Sequence, residues 1–392
     1  MSARLALILA VALLTGCGGG GDEGNPGMPL RFLYASAYAG PNTFPAAIYG
    51  LAAYTGALRP LPGSPAETAD GGGPIAITRD SRILYTTSQE GLSAYQIAAD
   101  HSLSSAAVPE LPMADQQVGL LAHPAADVLY ASGNSGLVTV FAVDTVSGAL
   151  TSTSSVSLGS RFLQNSAVMT PDGHFLYQND TARNDGLFPA QLQLAGFSAD
   201  AATGALSPVP GSPLTLVTSS PSTTSGAGPM AIDPTGKFLY VGYQFAVVNV
   251  GESGGLAAYS IDPGSGGLTA VPGSPFDIGG APGGAAVDAS GKFLIVSMFP
   301  LGGGSRLAVF SIDPATGALT AVPGSFGPAH VWGALAAEPS GPYVYAGTGL
   351  QSANTPASVV MFSIDQTSGA LTSVAETSIA GKLGVSFIAL TH

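Results

Sequence analysis

Short apolar runs separated by turn-forming residues recur along most of the chain. An aromatic or aliphatic pair closes one such run in seven copies, from RFLYAS at position 31 to PYVYAG at position 342, spaced by about 45 to 63 residues. Their β-branched, aromatic or alternating residues, punctuated by Gly, Pro and Asp, are typical of β-strands. Beyond the first residues, no long segment has the 3.6-residue period of a helix. The pattern predicts an all-β chain built from one repeated unit.

Each closing run, called strand b here, has apolar neighbours in its own unit. A run such as PMAID at position 229 precedes it as strand a in every copy but the first, and LAVFSID at 307 and GALTAVP at 317 illustrate strands c and d. Four-stranded units repeated at this period and arranged radially make a β-propeller. We therefore predict one domain over residues 29–392, a seven-bladed propeller of four-stranded antiparallel blades.

The two ends of this domain complement each other. The first unit begins at strand b, and the chain finishes with GVSFIALTH at 384–392, a strand a that nothing follows. We expect this C-terminal strand to join the first blade, because that pairing covers two sheet edges that would otherwise stay open. The ring is then closed by backbone hydrogen bonds between the chain ends.

The most similar segments of the repeat are YSIDPGSGGLTAVPGS from position 259 and FSIDPATGALTAVPGS from position 310. Aspartates stand in register after the c strands: Asp144, Asp200, Asp262, Asp313 and Asp365. Asp, Pro and Gly at this spacing form turns, in which Asp accepts backbone hydrogen bonds and Gly takes a left-handed conformation. Metal sites are the alternative, but no stretch has the alternating acidic residues and final Glu of a calcium loop. The repeat predicts a scaffold hairpin, and we expect no metal and no cofactor.

Antiparallel strands divide the connections between two faces. The a–b and c–d turns share one face, the turn face, and the b–c and d–a connections share the other, the loop face. The turn face has short, repeated turns, whereas the loop face has long, dissimilar segments at 36–47, 178–191, 243–254, 297–305 and 347–357. Binding residues concentrate on variable loops held by a rigid scaffold, so we expect function on the loop face. Drift of tolerant loops explains the same lengths equally well.

Composition narrows the class of protein. Of 392 residues, 46% are hydrophobic and 9% charged, so the chain has enough apolar residues for a large core. The net charge is −13 with only 11 Lys and Arg, and nucleic-acid binding needs clustered cations. We therefore expect no nucleic-acid partner; the acidity itself is explained by solubility.

The first residues form a separate segment. MSARLALILAVALLTGC has a basic start, an apolar run too short to span a membrane, and small residues before Cys17, as export signals do. LLTGC resembles the bacterial lipobox, in which the Cys is acylated, for example with palmitate, and becomes the mature N-terminus. We predict a signal peptide at 1–16, a flexible lipid-anchored tether at 17–28, and a cell-envelope location, the outer membrane, facing the periplasm or the surface. We expect the protein to contact the membrane through this lipid anchor alone and to be a monomer.

The repeat resembles a known family. PTGKFLYVG at position 234 and AVFSIDPATGALTAVPGSF at 308, within seven such units, are similar to lactonase-type seven-bladed propellers. That family includes bacterial 6-phosphogluconolactonases and muconate-lactonising enzymes. These motifs are scaffold motifs, so the resemblance is specific for the fold and uninformative about activity.

The resemblance implies where lactone chemistry would lie. Opening a lactone with water needs a base and a group that stabilises the oxyanion. The family's GPRH motif is matched by GPAH at 327–330, which aligns His330 with its His but puts Ala329 in place of the Arg. The acidic position falls at the Gly347 region, so two of three expected groups are missing.

Other residues on the loop face could replace those groups. Arg161 could supply positive charge and Asp115 a carboxylate beside His330, while Trp332 and Asp70 could bind a ligand. The simpler interpretation of Arg161, Asp115 and Asp70 is that they are solvated loop residues. Two functions follow. The first is a non-catalytic binding or scaffold module that uses the loop face for a protein, glycan or small-molecule ligand. The alternative is a lactone hydrolase of the 6-phosphogluconolactonase-like type with altered active-site residues.

Overall fold

The computed structural model describes residues 28–38, 47–68, 73–87, 91–106, 108, 110–113, 117–158, 167–182, 191–218, 223–247, 251–300, 304–324, 331–349, 356–379, 382 and 384–392. The described chain consists of β-strands and their connections, grouped in seven sheets. None of these segments forms a helix that is long and apolar enough to cross a membrane. The sequence prediction of an all-β propeller with seven antiparallel blades is confirmed.

The strands follow one another blade by blade. In chain order they are β1 (Arg31–Tyr38), β2 (Ala47–Tyr54), β3 (Ala57–Pro60) and β4 (Ala66–Glu67) in blade 1; β5 (Ile75–Ile77), β6 (Ile83–Thr87), β7 (Gly91–Ile97), β8 (Leu103–Ser105) and β9 (Leu111–Pro112) in blade 2; β10 (Gln117–Ala122), β11 (Val128–Gly133), β12 (Leu137–Val143) and β13 (Leu150–Ser157) in blade 3; β14 (Ala167–Met169), β15 (Phe175–Ala182), β16 (Gln191–Ala199), β17 (Leu206–Pro208) and β18 (Leu214–Thr218) in blade 4; β19 (Thr223–Ile232), β20 (Phe238–Val247), β21 (Gly251–Ile261), β22 (Leu268–Ala270) and β23 (Phe276–Asp277) in blade 5; β24 (Gly280–Val287), β25 (Phe293–Pro300), β26 (Arg306–Ile312) and β27 (Leu319–Ala321) in blade 6; β28 (Val331–Ala337), β29 (Tyr343–Thr348), β30 (Ala357–Ile364) and β31 (Leu371–Ile379) in blade 7; and β32 (Gly384–Leu390), which returns to blade 1.

The C-terminal strand closes the ring as predicted. Blade 1 has the order β3-β2-β1-β32, and β32 pairs antiparallel with β1 from Leu33 opposite Leu390 to Tyr38 opposite Gly384. Seven apolar clusters each combine residues of two neighbouring blades. The cluster between blades 7 and 1 includes Leu33, Met361 and Val385, so the chain ends meet in a core like those of the other interfaces.

The turn of the repeated hairpin packs against the preceding blade. Asp313 Oδ1 accepts hydrogen bonds from Ala315 N at 3.0 Å and Thr316 N at 2.8 Å, and the bonds from Thr316 lower the pKa of Asp313. Gly317 has φ +75°, and a Cβ there would lie 2.4 Å from the ring of Phe238 in the preceding blade. The predicted turn role of these aspartates is confirmed, and only Gly fits its place.

The four-stranded blades are confirmed, whereas the prediction of long loops needs correction at one segment. Blades 1, 2, 4 and 5 add a short fifth strand that pairs with the start of strand c. Most of the predicted loop at 243–254 is strand, because β20 runs to Val247 and β21 restarts at Gly251. The glycines there suggested a loop, but backbone groups pair in a ladder whatever the side chain. Blade 5 therefore projects from the loop face as a hairpin.

Candidate functional site at the channel mouth

The b strands end around the mouth of the central channel with polar side chains. Two residues after the repeat aromatic, or its aliphatic substitute Ile295, five blades carry a hydroxyl or amide: Ser36, Thr87, Ser132, Asn179 and Ser297. We call these five residues the polar collar. Each is at most 4% exposed. These polar side chains are therefore as buried as the apolar residues that come earlier in the same strand. The remaining two blades have Gly242 and Gly347 in the same place.

Hydrogen bonds between blades hold part of the polar collar. Ser132 Oγ donates to Gln178 Oε1 at 3.1 Å, across the interface of blades 3 and 4. Asn179 Nδ2 donates to the carbonyl oxygen of Gly228 in blade 5. Gln178 Nε2 and Ser297 Oγ are buried without a hydrogen-bond partner among the described residues. A buried polar group without a partner costs free energy, so these two atoms call for a functional or structural explanation.

The innermost strands carry β-bulges at the same end of the channel. The register against strand b shifts in β10, β19, β24, β28 and the β1–β32 pair. Glycines lie at three of these bulges, Gly228, Gly283 and Gly333, and Gly333 has φ +46°. A Cβ on Gly284 would lie 1.9 Å from the carbonyl oxygen of Gly333, so blades 6 and 7 approach backbone to backbone here. Bulges free backbone groups from the ladder and often border binding sites.

Blade 7 adds a chain of hydroxyls that leads to a carboxylate. Thr348, opposite Val331 in the a–b pair, accepts a hydrogen bond from Ser358 N at 2.7 Å. Ser358 Oγ donates to Glu376 Oε1. Thr348 and Ser358 are at most 6% exposed, whereas Glu376 is exposed. Sequence reasoning missed Glu376. The signal that could have identified it is that Glu376 is the one carboxylate in a d strand whose other residues are apolar or carry hydroxyls.

Formal charges concentrate on the opposite face. Of the eight described Lys and Arg, five lie at the turn face, Arg59 lies on β3, and Arg306 and Lys382 lie toward the loop face. In the described ranges, no group of three or more His, Cys, Asp or Glu could hold a metal ion. The described residues of the mouth include hydroxyls, amides and backbone groups, and those of the polar collar are buried. This set of groups can recognise a ligand by hydrogen bonding.

The residues singled out from the sequence lie mostly outside this description. His330, Arg161, Asp115, Asp70 and the lipidation residue Cys17 are all outside the described residues. Trp332 is the second residue of β28, at the channel mouth, and its side chain is likewise outside the described part. Whether these residues converge stays a prediction. The polar collar and the bulges were not predicted.

Comparison with known proteins agrees with this architecture. The family model for "Lactonase, 7-bladed beta-propeller" matches residues 190–332. The chain has the fold of a seven-bladed propeller, and this segment is similar to the lactonase-type family. Its matched segment runs from β16 through Trp332 and includes the GPAH stretch. No curated protein matches the sequence.

Solved structures of similar fold cover nearly the same length. The 6-phosphogluconolactonase-like protein of Bacteroides fragilis has a TM-score of 0.69 at 18% identity, covering 92% of this chain and 98% of that one. The periplasmic gluconolactonase PpgL of Pseudomonas aeruginosa has a TM-score of 0.62 at 17% identity, with 92% and 99% covered. A functionally unknown protein of Desulfotomaculum acetoxidans has a TM-score of 0.64 at 15% identity, with 92% and 99% covered. At these identities the likeness shows the fold alone.

Proposed function

We propose that this lactonase-like propeller is an exported, lipid-anchored binding or scaffold module that engages its ligand at the loop face. The observation that carries the proposal is a pair of buried polar atoms beneath the channel mouth: Gln178 Nε2 and Ser297 Oγ have no hydrogen-bond partner among the described residues, and the hydroxyl of Ser132 and the amide of Asn179 belong to the same collar. Such groups recognise a polyhydroxylated ligand, a glycan or small molecule, by hydrogen bonding.

Calorimetric titration of the propeller from Met28 onward tests this proposal. D-glucono-δ-lactone, D-gluconate and a cellulose- or peptidoglycan-derived oligosaccharide panel are the probes. Ser297→Ala is expected to lower affinity for a bound probe at least threefold, because its hydroxyl lies at the mouth. Ser311→Ala, which removes a hydroxyl on strand c that donates to Thr320 O at 3.3 Å, is the matched control. Equal losses in both variants would contradict a site at the mouth.

Lactone hydrolysis is the alternative function. It is supported by the family match, which includes His330, and by the structural likeness to a periplasmic gluconolactonase. In this alternative His330 is the base, Arg161 stabilises the oxyanion and Asp115 supplies a carboxylate, with Trp332 and Asp70 contacting the substrate. Ala329 and the Gly347 region replace two groups expected from the family, which favours the binding role.

Hydrolysis is tested by pH-stat titration of D-glucono-δ-lactone with the purified propeller. An enzyme should exceed the spontaneous rate, and His330→Ala should return the rate to that background. A rate indistinguishable from background with the unaltered chain would exclude hydrolysis of this substrate. Retention of activity in His330→Ala would exclude the assigned base.

The anchor is tested separately. We propose that Cys17 carries the lipid and holds the protein as a monomer in the cell envelope, in the outer membrane facing the periplasm or the surface. Alkyne-palmitate labelling should mark the unaltered chain and leave Cys17→Ser unmarked, and the variant should leave the membrane fraction. Light scattering of the soluble propeller checks the monomer. Unchanged membrane association of Cys17→Ser would contradict the anchor.

A further inference from the structure

Both chain ends of the propeller lie on the turn face. Leu30 N donates to Ala53 O at 2.7 Å, near the c–d turn of blade 1, so the chain enters there. Arg31 Nε donates to Glu338 Oε1 at 2.8 Å in the a–b turn of blade 7. At the other end, His392 N donates to Ser81 Oγ at 2.8 Å in the a–b turn of blade 2. Any segment that precedes Met28 therefore leaves from this face.

Carboxylates dominate the same face. Half of the 24 Asp and Glu stand in the a–b and c–d turns: Asp80, Asp100, Asp127, Asp144, Asp172, Asp200, Asp233, Asp262, Asp288, Asp313, Glu338 and Asp365. Five cations share the face: Arg31, Arg79, Arg82, Lys237 and Lys292. The turn face therefore carries a formal charge of about −7, by Asp, Glu, Lys and Arg that are ionised near neutral pH.

The sequence before Met28 limits how far the domain can move from its anchor. Ten residues, 18–27, separate Cys17 from Met28, and a chain of that length spans at most about 36 Å. Strands of about eight residues make the disc roughly 26 Å deep, at about 3.3 Å per residue. Because the chain leaves from the turn face, the loop face can reach the lipid only if the disc inverts, and passing the side of the disc would use about 26 Å of the segment's span of about 36 Å.

We propose that the propeller is held with its acidic turn face toward the lipid surface and its loop face directed away from it. This rests on the proposed lipid anchor at Cys17. The anchor keeps the turn face on the lipid side, and like charge opposes close contact with an anionic bilayer within a Debye length of about 10 Å at 0.1 M salt, so this face is held near the surface without touching it. The partner of the loop face is then a soluble molecule, or one attached to a structure beyond the membrane. It is not the lipid to which the chain is anchored.

The test uses the full lipidated chain in vesicles with one dye on either face. Ala315→Cys places a thiol in an exposed c–d turn of the turn face, and Ser135→Cys places one in the exposed b–c turn of blade 3. The thiol of Cys17 is consumed by acylation, so only the introduced Cys reacts with the dye. Energy transfer to an acceptor on the lipid headgroups should be clearly larger from position 315 than from position 135.

Salt and lipid charge provide the second readout. On vesicles with phosphatidylglycerol, transfer from position 315 should rise as the Debye length falls from about 30 Å at 0.01 M to about 3 Å at 1 M salt. On phosphatidylcholine vesicles it should stay constant. Equal or reversed transfer from the two positions overturns the orientation, and salt-independent transfer on anionic vesicles overturns the repulsion.

Two further measurements distinguish a failure of the proposed function from a failure of the proposed orientation. Co-flotation of the undyed chain with vesicles reports the anchor, and a chain that does not float overturns the anchor together with the orientation. A floating chain that binds no probe contradicts the binding role and leaves the orientation result intact. A bound probe should have the same affinity for the vesicle-held chain and the soluble propeller, since the loop face is open in both.

Discussion

Removing the closing strand should destabilise the whole ring. Deletion of residues 384–392 takes away six residue pairs between β32 and β1, together with the bond from Thr391 N to Phe32 O at 3.0 Å. It also removes Val385, 1% exposed, from the cluster between blades 7 and 1. We expect that the truncated domain is either already unfolded at room temperature, and so shows no cooperative transition, or unfolds at a much lower denaturant concentration than the full domain.

The magnitude follows from the ladder. About one hydrogen bond per residue pair, at roughly 0.5–1.5 kcal/mol net each, gives about 3–9 kcal/mol for six pairs. Folded domains are stable by only about 5–15 kcal/mol, so the loss is comparable to the total. Burial of Val385 adds roughly 1.5–3 kcal/mol. A nine-residue change should therefore affect all seven blades.

Guanidinium denaturation followed by circular dichroism measures the effect on chains 28–392 and 28–383. Deletion of residues 28 and 29, which precede β1, is the control and should leave the midpoint unchanged. A synthetic peptide of residues 384–392 added in trans should restore part of the lost stability. If the truncated chain unfolds at the same denaturant concentration as the full domain, the ring is not clasped by β32 and the energetic argument is wrong.

Three smaller perturbations test the interfaces. Glu338→Gln should lower the free energy of unfolding by about 3 kcal/mol or more, because it leaves Arg31 without its buried charged partner. Asp127→Asn, at an exposed pair, should lower it far less, and equal losses by urea denaturation would contradict this. Tyr177→Phe should lower the free energy of unfolding by about 1 kcal/mol, because it removes the 2.7 Å hydrogen bond from Tyr177 Oη to Gly266 O in the next blade. An unchanged denaturation midpoint would show that this hydrogen bond does not stabilise the domain. Burial lowers the pKa of His123, so folding stability should be full above pH ~6.5 and fall as the pH drops below it; His123→Asn should flatten this slope between pH 7.5 and 5, and an unaltered slope would exclude His123.

The scaffold was predictable because each blade repeats the same physical constraints. The apolar periodicity gave the seven b strands, and the unpaired run at 384–392 gave the closure. The bulges at Gly228, Gly283 and Gly333 were not predictable, because a bulge depends on backbone register and not on apolar pattern. The seam contact between Arg31 and Glu338 joins residues 307 apart in sequence, and no periodicity marks it.

The polar collar escaped prediction for a related reason. Its members differ in residue type between blades, for example Ser132 in blade 3 and Asn179 in blade 4, so no repeated motif identifies them. They stand where the apolar run of strand b ends, a position that reads as the start of a loop. The candidate residues on the d–a connections, such as Arg161, belong to segments of unequal length, where the repeat gives no register for comparison.

Packing supports the proposal that recognition takes place on the loop face. Each turn of the repeat is already engaged by a neighbour: Tyr240 Oη donates to Gly317 O at 3.1 Å, and Gly317 lies against Phe238. Blade 1 has no Asp turn for blade 7 to use, and there Tyr345 donates instead to Glu338, which holds Arg31. A ligand site built from these turns would have to break inter-blade contacts that hold the ring. The inter-blade hydrogen bonds at the channel mouth, such as that from Ser132 to Gln178, do not repeat from blade to blade, so the side chains there can differ without opening the propeller.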